Sequence, residues 1–415
     1  MCRFVLGLGL GLVLVGCSSS STSAPGSAGA AGVSGRPGDS AEAGAPDDSK
    51  GEAGAPDDSK GEAGAAGGSA PVGEAGAAGD SGSNGGAFGA APPLPEGTLL
   101  YVYEETKDND LLVALDLESG EQRVVTDLTG DGSSGWDIDS YSLSPDRRRI
   151  ALSSLYGPTN ADTATGLATK AIWTLGTNGA DFRRLTPTFP KDAQGRNGFQ
   201  YDVGDPEWTA DGSSVVYDFG SYWWEGTTLS GGSFPWIVAA DGKSLPSSIP
   251  IDAPCSVLYP SRNPVTGDFL LIHSVCVPGQ GEGNGLYLYS AEGEAEPAQL
   301  VASTHVVGGV DVSLTKPSWF SDGSGFLFVG GVGETDWSPS LLAYAADTGK
   351  VSLLVPAPEG TGIRSVAASP DSSKIVYCTY DKESGAKDLH LIDLAPASPT
   401  DVAITTDGKS CQPSF

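Results

Sequence analysis

Four cysteines in the second half of the chain, Cys255, Cys276, Cys378 and Cys411, are the residues whose types and spacing most directly suggest chemistry. They form an even set, which in an exported chain predicts disulfides; four free thiols are the alternative. Cys255 and Cys276 flank an expected strand–turn–strand around Val265 symmetrically, so they are expected to face each other across a hairpin. Cys378 and Cys411 are then left to join, a link worth roughly 3 kcal/mol in the loop-entropy account. The three histidines, His273, His305 and His390, share no ligand-like spacing, so no metal site or other cofactor is expected. No Gly-x-Ser-x-Gly motif marks a nucleophile. Aromatic side chains crowd one glycine-rich stretch, with Tyr222, Trp223, Trp224 and then Trp236, and Trp136 lies in a comparable connection. Such residues stack on sugars or on a partner's apolar groups, and they are the expected binding residues. Asp127, Asp131, Asp137 and Asp139 lack the spacing of a calcium loop and are expected to form a solvated acidic loop.

Two further cysteines stand near the start. Met1 to Arg3 is short and basic, and Phe4 to Val15 is an apolar run too short to span a bilayer but right for a signal peptide. It ends in Leu14-Val15-Gly16-Cys17, which resembles the lipobox of bacterial lipoproteins. That resemblance implies that residues 1–17 are a lipoprotein signal peptide and that Cys17 carries acyl chains that anchor the protein to a membrane. Ser18 follows in place of Asp, which by the common sorting rule implies the outer membrane of the cell envelope.

Residues 18–94 are almost entirely Ser, Gly, Ala, Pro, Asp and Glu and include a ten-residue duplication, Ala43 to Glu52 followed by Ala53 to Glu62. Such a segment buries too little apolar surface to offset its ordering entropy and is expected to be a disordered tether. As a flexible coil it has an end-to-end distance on the order of 45–50 Å. The formal charge of −29 divides as +1 over residues 1–17, −7 over 18–94 and −23 over the rest. This balance argues against nucleic acid as a partner, because phosphate binding needs clustered Lys and Arg.

The rest of the chain repeats a turn followed by an alternating apolar strand, starting at Pro95, Pro145, Ala210, Pro264, Ser321 and Pro370. Five residues on from each start stand Leu100, Ile150, Val215, Phe269, Phe326 and Ile375, and seven residues on stand Val102, Leu152, Tyr217, Leu271, Phe328 and Tyr377. A period of two over large apolar residues describes one strand face packed between sheets. Further strands and tight turns such as Asn178-Gly179 and Asp241-Gly242 complete each unit. Four antiparallel strands per unit of about 50 residues describe a propeller blade. The chain ends in Gln412-Pro413-Ser414-Phe415, which matches Pro206-Glu207-Trp208 and Pro317-Ser318-Trp319 ahead of the other turns. The expected fold is therefore all-β, a six-bladed β-propeller over residues 95–415 whose C-terminal strand closes the first blade.

With a preceding aromatic, the Ser-Pro-Asp and Asp-Gly units resemble the WD40-like repeats of the TolB propeller family. The family's N-terminal α/β domain is not expected here; an anchor and a tether stand in its place. Long connections fall on one face of the expected ring, at 127–141, 154–170, 187–205, 219–235 and 304–316, and loops of that length are usually functional. The expected function is a monomeric, non-catalytic binding lipoprotein that meets an envelope protein or a glycan on this face. A glycan-active enzyme of lyase or glycosidase type, with carboxylates in the central channel, is the alternative.

Overall fold

A computed structural model of the chain describes residues 91–106, 109–126, 137–155, 161–162, 167–168, 170–187, 197–225, 228–251, 255–274, 283–291, 296–303, 310–332, 339–394 and 400–415, with strand backbone at 5–7 and 11–13. For 5–7, 11–13, 155, 161–162, 167–168, 197–201, 222–225, 228–230 and 332 the backbone alone is described.

Residues from Thr98 onward form six antiparallel sheets, each a blade of a closed propeller. The strands that line the channel are Ser410–Ser414 in blade 1, Asp137–Leu143 in blade 2, Asn197–Trp208 in blade 3 and Ser256–Arg262 in blade 4. Blade 5 uses Val310–Val312 together with Ser318–Trp319, and blade 6 uses Thr361–Ala368. Closure is as expected: Ser410 pairs with Tyr103, Cys411 with Val102 and Ser414 with Leu100. The C-terminus thus completes blade 1 and removes an exposed edge.

The recurring turns show why their residues recur. In blade 3, Asp211 Oδ1 accepts from Thr209 Oγ1 at 2.7 Å and from the Ser213 amide at 3.0 Å, while Gly212 supplies a φ of 65°. In blade 6, Ser369 Oγ donates to Asp371 at 2.6 Å and accepts from the Lys374 amide at 2.9 Å. A short hydroxyl two residues before an Asp therefore satisfies the amides that the turn leaves outside the ladder. The tryptophans that precede these turns join neighbouring blades: Trp208 Nε1 donates to the Ser142 carbonyl at 3.1 Å and Trp319 Nε1 to the Ser261 carbonyl at 3.2 Å.

Between blades the core is apolar. Of the twelve aligned strand residues, all but the half-buried Phe269 are buried. The alignment needs one correction. Ile150 and Leu152 pack back against blade 1, as Val215 and Tyr217 do against blade 2 and Ile375 and Tyr377 against blade 5. In blade 1 itself, Leu100 and Val102 face forward to blade 2, and it is Leu99 and Tyr101 that pack back on Val376 and Cys378. The turn from Pro95 is one residue shorter than the others, closing with the Thr98 amide on the Pro95 carbonyl. The sequence hides this slip because both faces of that strand are apolar.

Cys378 and Cys411 form a disulfide with a Cα–Cα distance of 5.2 Å, linking blade 6 to the closing strand as expected. Cys255 is buried and disulfide-bonded, while Cys276 lies outside the described residues. The chain is packed from Ala91 onward. The Leu94 amide donates to the Arg147 carbonyl at 2.8 Å, and Arg148 Nη1 to the Ala91 carbonyl at 2.9 Å.

The expected connection 219–235 is not a loop. Strands Ser214–Glu225 and Thr228–Ala239 pair without interruption from Ser214↔Ala239 to Glu225↔Thr228, and Asn197–Trp208 runs alongside. Blade 3 therefore carries an extended three-stranded sheet, consistent with the strand preference of its aromatic and β-branched residues.

Candidate functional site

The channel-lining strands break their own regularity at one level. Ladder register shifts occur between Ile138 and Ser140, Gly204 and Glu207, Leu258 and Ser261, Ile363 and Ser365, and Cys411 and Ser414. In blade 5 the strand is interrupted between Val312 and Ser318. Each break frees a residue from the ladder and re-aims its side chain. One such residue comes from each blade, Asp139, Asp205, Tyr259, Lys316, Arg364 and Gln412, and all six line a channel cavity of about 580 Å³. Asp205, Tyr259 and Gln412 adopt left-handed backbone conformations with φ of 48°, 59° and 55°. A non-glycine residue there costs on the order of 1–3 kcal/mol and persists only where its surroundings hold it.

Charge is unevenly distributed around this ring. On one side Lys170 Nζ bridges Asp139 at 2.9 Å and Asp202 at 3.5 Å. Burial opposes the Lys170 charge, but the two carboxylates outweigh it and raise its pKa. Burial, and then the charge of Asp139, hold the Asp205 carboxyl above the usual carboxylate range, against the pull of Lys316 and Lys170. Asp218, buried behind it, is raised further by desolvation and by Asp205, although the Tyr259 amide donates to its Oδ2 at 2.8 Å. The Tyr259 phenol is likewise pushed up, by burial first and by Asp205 next. On the other side Lys316 Nζ lies 2.7 Å from Glu207 Oε2 and 2.8 Å from the Pro206 carbonyl, and Arg364 is exposed to the channel. Gln412 Nε2 donates to the Asp139 carbonyl at 2.7 Å, and Tyr141 donates to the Gln412 carbonyl at 2.6 Å, tying the closing strand to blade 2. The ring thus offers a carboxyl that keeps its proton towards neutral pH, a phenol, an amide and two cations around one cavity. Among the described residues no three His, Cys, Asp or Glu side chains are grouped to hold a metal ion.

The residues expected from sequence fall elsewhere. The backbone of Tyr222, Trp223 and Trp224 lies in the blade 3 extension, paired with Gly231, Ser230 and Leu229. Trp236 is half-buried and packs on Phe219 with ring centroids 4.8 Å apart, within the core between blades 2 and 3. Trp136, His305, Asp127 and Asp131 lie outside the described residues. Asp139 is not part of a solvated acidic loop; it sits on the blade 2 inner strand, fixed by Lys170. His273 is buried against Tyr287 with ring centroids 3.9 Å apart, and burial lowers its pKa to about 4. The cavity's lining runs from the ring to the short turns at Glu96, Arg147, Pro264, Ser321 and Pro370, while most of the connections expected to be long lie outside the described residues.

Sequence reasoning missed the ring, although a signal was present. Asp205, Tyr259, Lys316 and Gln412 each precede a proline. Proline removes a ladder donor and within a sheet marks a bulge or an edge. Asp139 and Arg364 precede serine and carry no such mark.

No family model matches the sequence, and no curated protein is similar enough to count as a relative. Solved structures do share the fold. TolB from Acinetobacter baumannii superposes with a TM-score of 0.50 at 15% identity, over 77% of this chain and 66% of that one. Hydrazine synthase from Kuenenia stuttgartiensis gives a TM-score of 0.53 at 13% identity, over 76% of this chain and 46% of that one. The chain therefore spans just under two thirds of the first protein and less than half of the second. At such identities the likeness extends to the architecture alone: this chain carries a six-bladed β-propeller of the shape also found in TolB.

Proposed function

We propose that the protein is a binding lipoprotein of the bacterial cell envelope, anchored at Cys17 and gripping a protein or glycan ligand at its central channel. The observation that carries the reading is the ring of six bulged residues, one from each blade, around a cavity of about 580 Å³. Three of them hold strained backbone conformations that the fold itself does not need, since other blades close without them. Residues 91–95 pack on the turns of blade 2. The Leu14-Val15-Gly16-Cys17 motif and the tether composition support the anchor, and Ser18 supports the outer membrane.

The test uses intact cells that make the full chain, with chemical cross-linking and a glycan array run in parallel. Asp205→Asn combined with Lys316→Ala is expected to remove the captured ligand while leaving a single cooperative melting transition. Cys17→Ser is expected to move the chain out of the membrane fraction and leave ligand capture intact. Unchanged capture by the channel variant would refute the channel as the site, and retention of Cys17→Ser in the membrane would refute the anchor.

A second reading, a glycan-active enzyme, is favoured by one observation. Asp205 is a carboxyl in a cavity whose surroundings keep it protonated towards neutral pH, as a general acid requires. Release of new sugar ends from a polysaccharide, abolished by Asp205→Asn, would select this reading over simple binding.

A further inference from the structure

Arg364 is the exception among the described arginines. Arg123, Arg147, Arg148, Arg149, Arg183, Arg184 and Arg262 each donate to a backbone carbonyl. Arg364 stands exposed on its bulge, and among the described residues it has no ion pair and no hydrogen bond. In a chain with 52 acidic and 23 basic residues, a guanidinium left without a carboxylate is a conspicuous choice.

Its position adds a second observation. Arg364 lines the channel cavity and also a second cavity of about 520 Å³ between blades 4, 5 and 6. Leu314 and Thr315 are likewise common to both, so the two spaces adjoin there. Leu314 is 47% exposed, an apolar side chain left open beside the cation. Beyond it the second cavity is walled by Ile272, Val312, Pro339, Ile363 and Tyr380.

We infer that this junction binds an organic carboxylate with an apolar body. The planar guanidinium takes the carboxylate through paired N–H donors, and Leu314 and the second cavity take the body. Lys316 does not compete for the anion, because Glu207 and the Pro206 carbonyl already engage it. This inference rests on the reading of the channel as the binding site and adds to it the class of ligand. A free acid and the C-terminus of a polypeptide present the same chemistry.

The experiment titrates the full chain calorimetrically with octanoate, with acetyl-Leu-Phe as the free acid, and with acetyl-Leu-Phe amide. At least one acid is expected to bind, the amide at least tenfold more weakly than its acid. Arg364→Gln is expected to weaken acid binding at least tenfold without shifting the melting temperature, and Leu314→Ser to weaken it several-fold. Binding of octanoate alone identifies a small acid as the source, and binding of the peptide acid alone identifies a chain end. Failure of both acids, equal binding of amide and acid, or unchanged binding by Arg364→Gln would each overturn the inference. If the acids fail while capture sensitive to Asp205→Asn and Lys316→Ala persists, the channel reading stands and only this inference falls.

Discussion

The strands sandwiched between blades and the strands that line the channel follow opposite rules. Sandwiched strands such as Arg149–Leu155 and Lys374–Asp381 pair with their outer neighbours in unbroken register, and their buried side chains are mostly large and apolar. Channel strands break register in five blades and are split in blade 5, and what they free is charged or polar. A propeller can separate its two tasks in this way because burial between sheets is complete without the innermost strand's inner face. On the proposed reading, stability and recognition reside in different strands of the same blade, and substitutions should sort accordingly.

The largest effect is expected where closure itself is removed. Deleting Ser410 to Phe415 takes away the inner strand of blade 1, the Cys378–Cys411 link and the Tyr141 bond to Gln412 together. The exposed edge of Thr98–Thr106 then invites pairing between molecules. Calorimetry of the deletion should show no single cooperative transition; a native-like melt would mean the ring is held by the other five interfaces. Next comes Phe326→Ala. Phe326 is fully buried, stacks on Tyr344 at 4.7 Å and meets Trp319 at 5.1 Å. Its truncation should cost about 3–5 kcal/mol in a urea titration. Replacing Cys378 and Cys411 together by Ser should cost about 3 kcal/mol, equal to the effect of reductant on the wild type at these positions. By contrast Lys316→Ala, on the channel, should lower the unfolding free energy from a urea titration by no more than about 1 kcal/mol while abolishing ligand capture. A channel variant as damaging as Phe326→Ala would dissolve the division between the two sets of strands.

The same division explains what could be read in advance. Period-two apolar strands and Asp-Gly or Ser-Pro-Asp turns repeat because each blade faces the same packing problem, and repetition is visible in a single sequence. The slip at Leu99–Val102 was not, since a strand apolar on both faces has no phase to read. Cys378 and Cys411 were legible because closure brings the C-terminal strand of blade 1 against blade 6. The channel ring obeys no period. Asp139, Asp205, Tyr259, Lys316, Arg364 and Gln412 share only a place in the ladder, and the prolines after four of them were the one trace of it. The aromatic run at Tyr222–Trp224 was conspicuous by composition, yet composition alone did not distinguish a loop from an extended hairpin.

The smallest effect expected is a pH dependence that runs against acid denaturation, and it separates a channel carboxyl from one outside the channel. Asp110 accepts from the Ile138 amide at 2.9 Å where blade 1 meets blade 2. Burial first, with the nearby charges of Asp137 and Glu104, raises its pKa to about 7. Asp205 and Asp218 are raised as well, by burial first and then by the charge of Asp139 on Asp205 and of Asp205 on Asp218. An unfolded Asp titrates near about 4. Between that value and its raised folded value, the folded chain binds more protons than the unfolded one, so stability falls as pH rises through the window. The melting temperature should therefore decline from pH 5 to pH 8. Asp110→Asn keeps an acceptor for the Ile138 amide and removes the charge, so it should flatten part of that decline and raise the melting temperature at pH 8 by about 2–4 °C. It should leave ligand capture untouched. Asp205→Asn should flatten the same profile and, on the proposed reading of the channel as the binding site, also lose the ligand. A melting temperature that rose from pH 5 to pH 8, or an Asp110→Asn profile parallel to wild type, would show that these carboxyls are ionised at neutral pH after all.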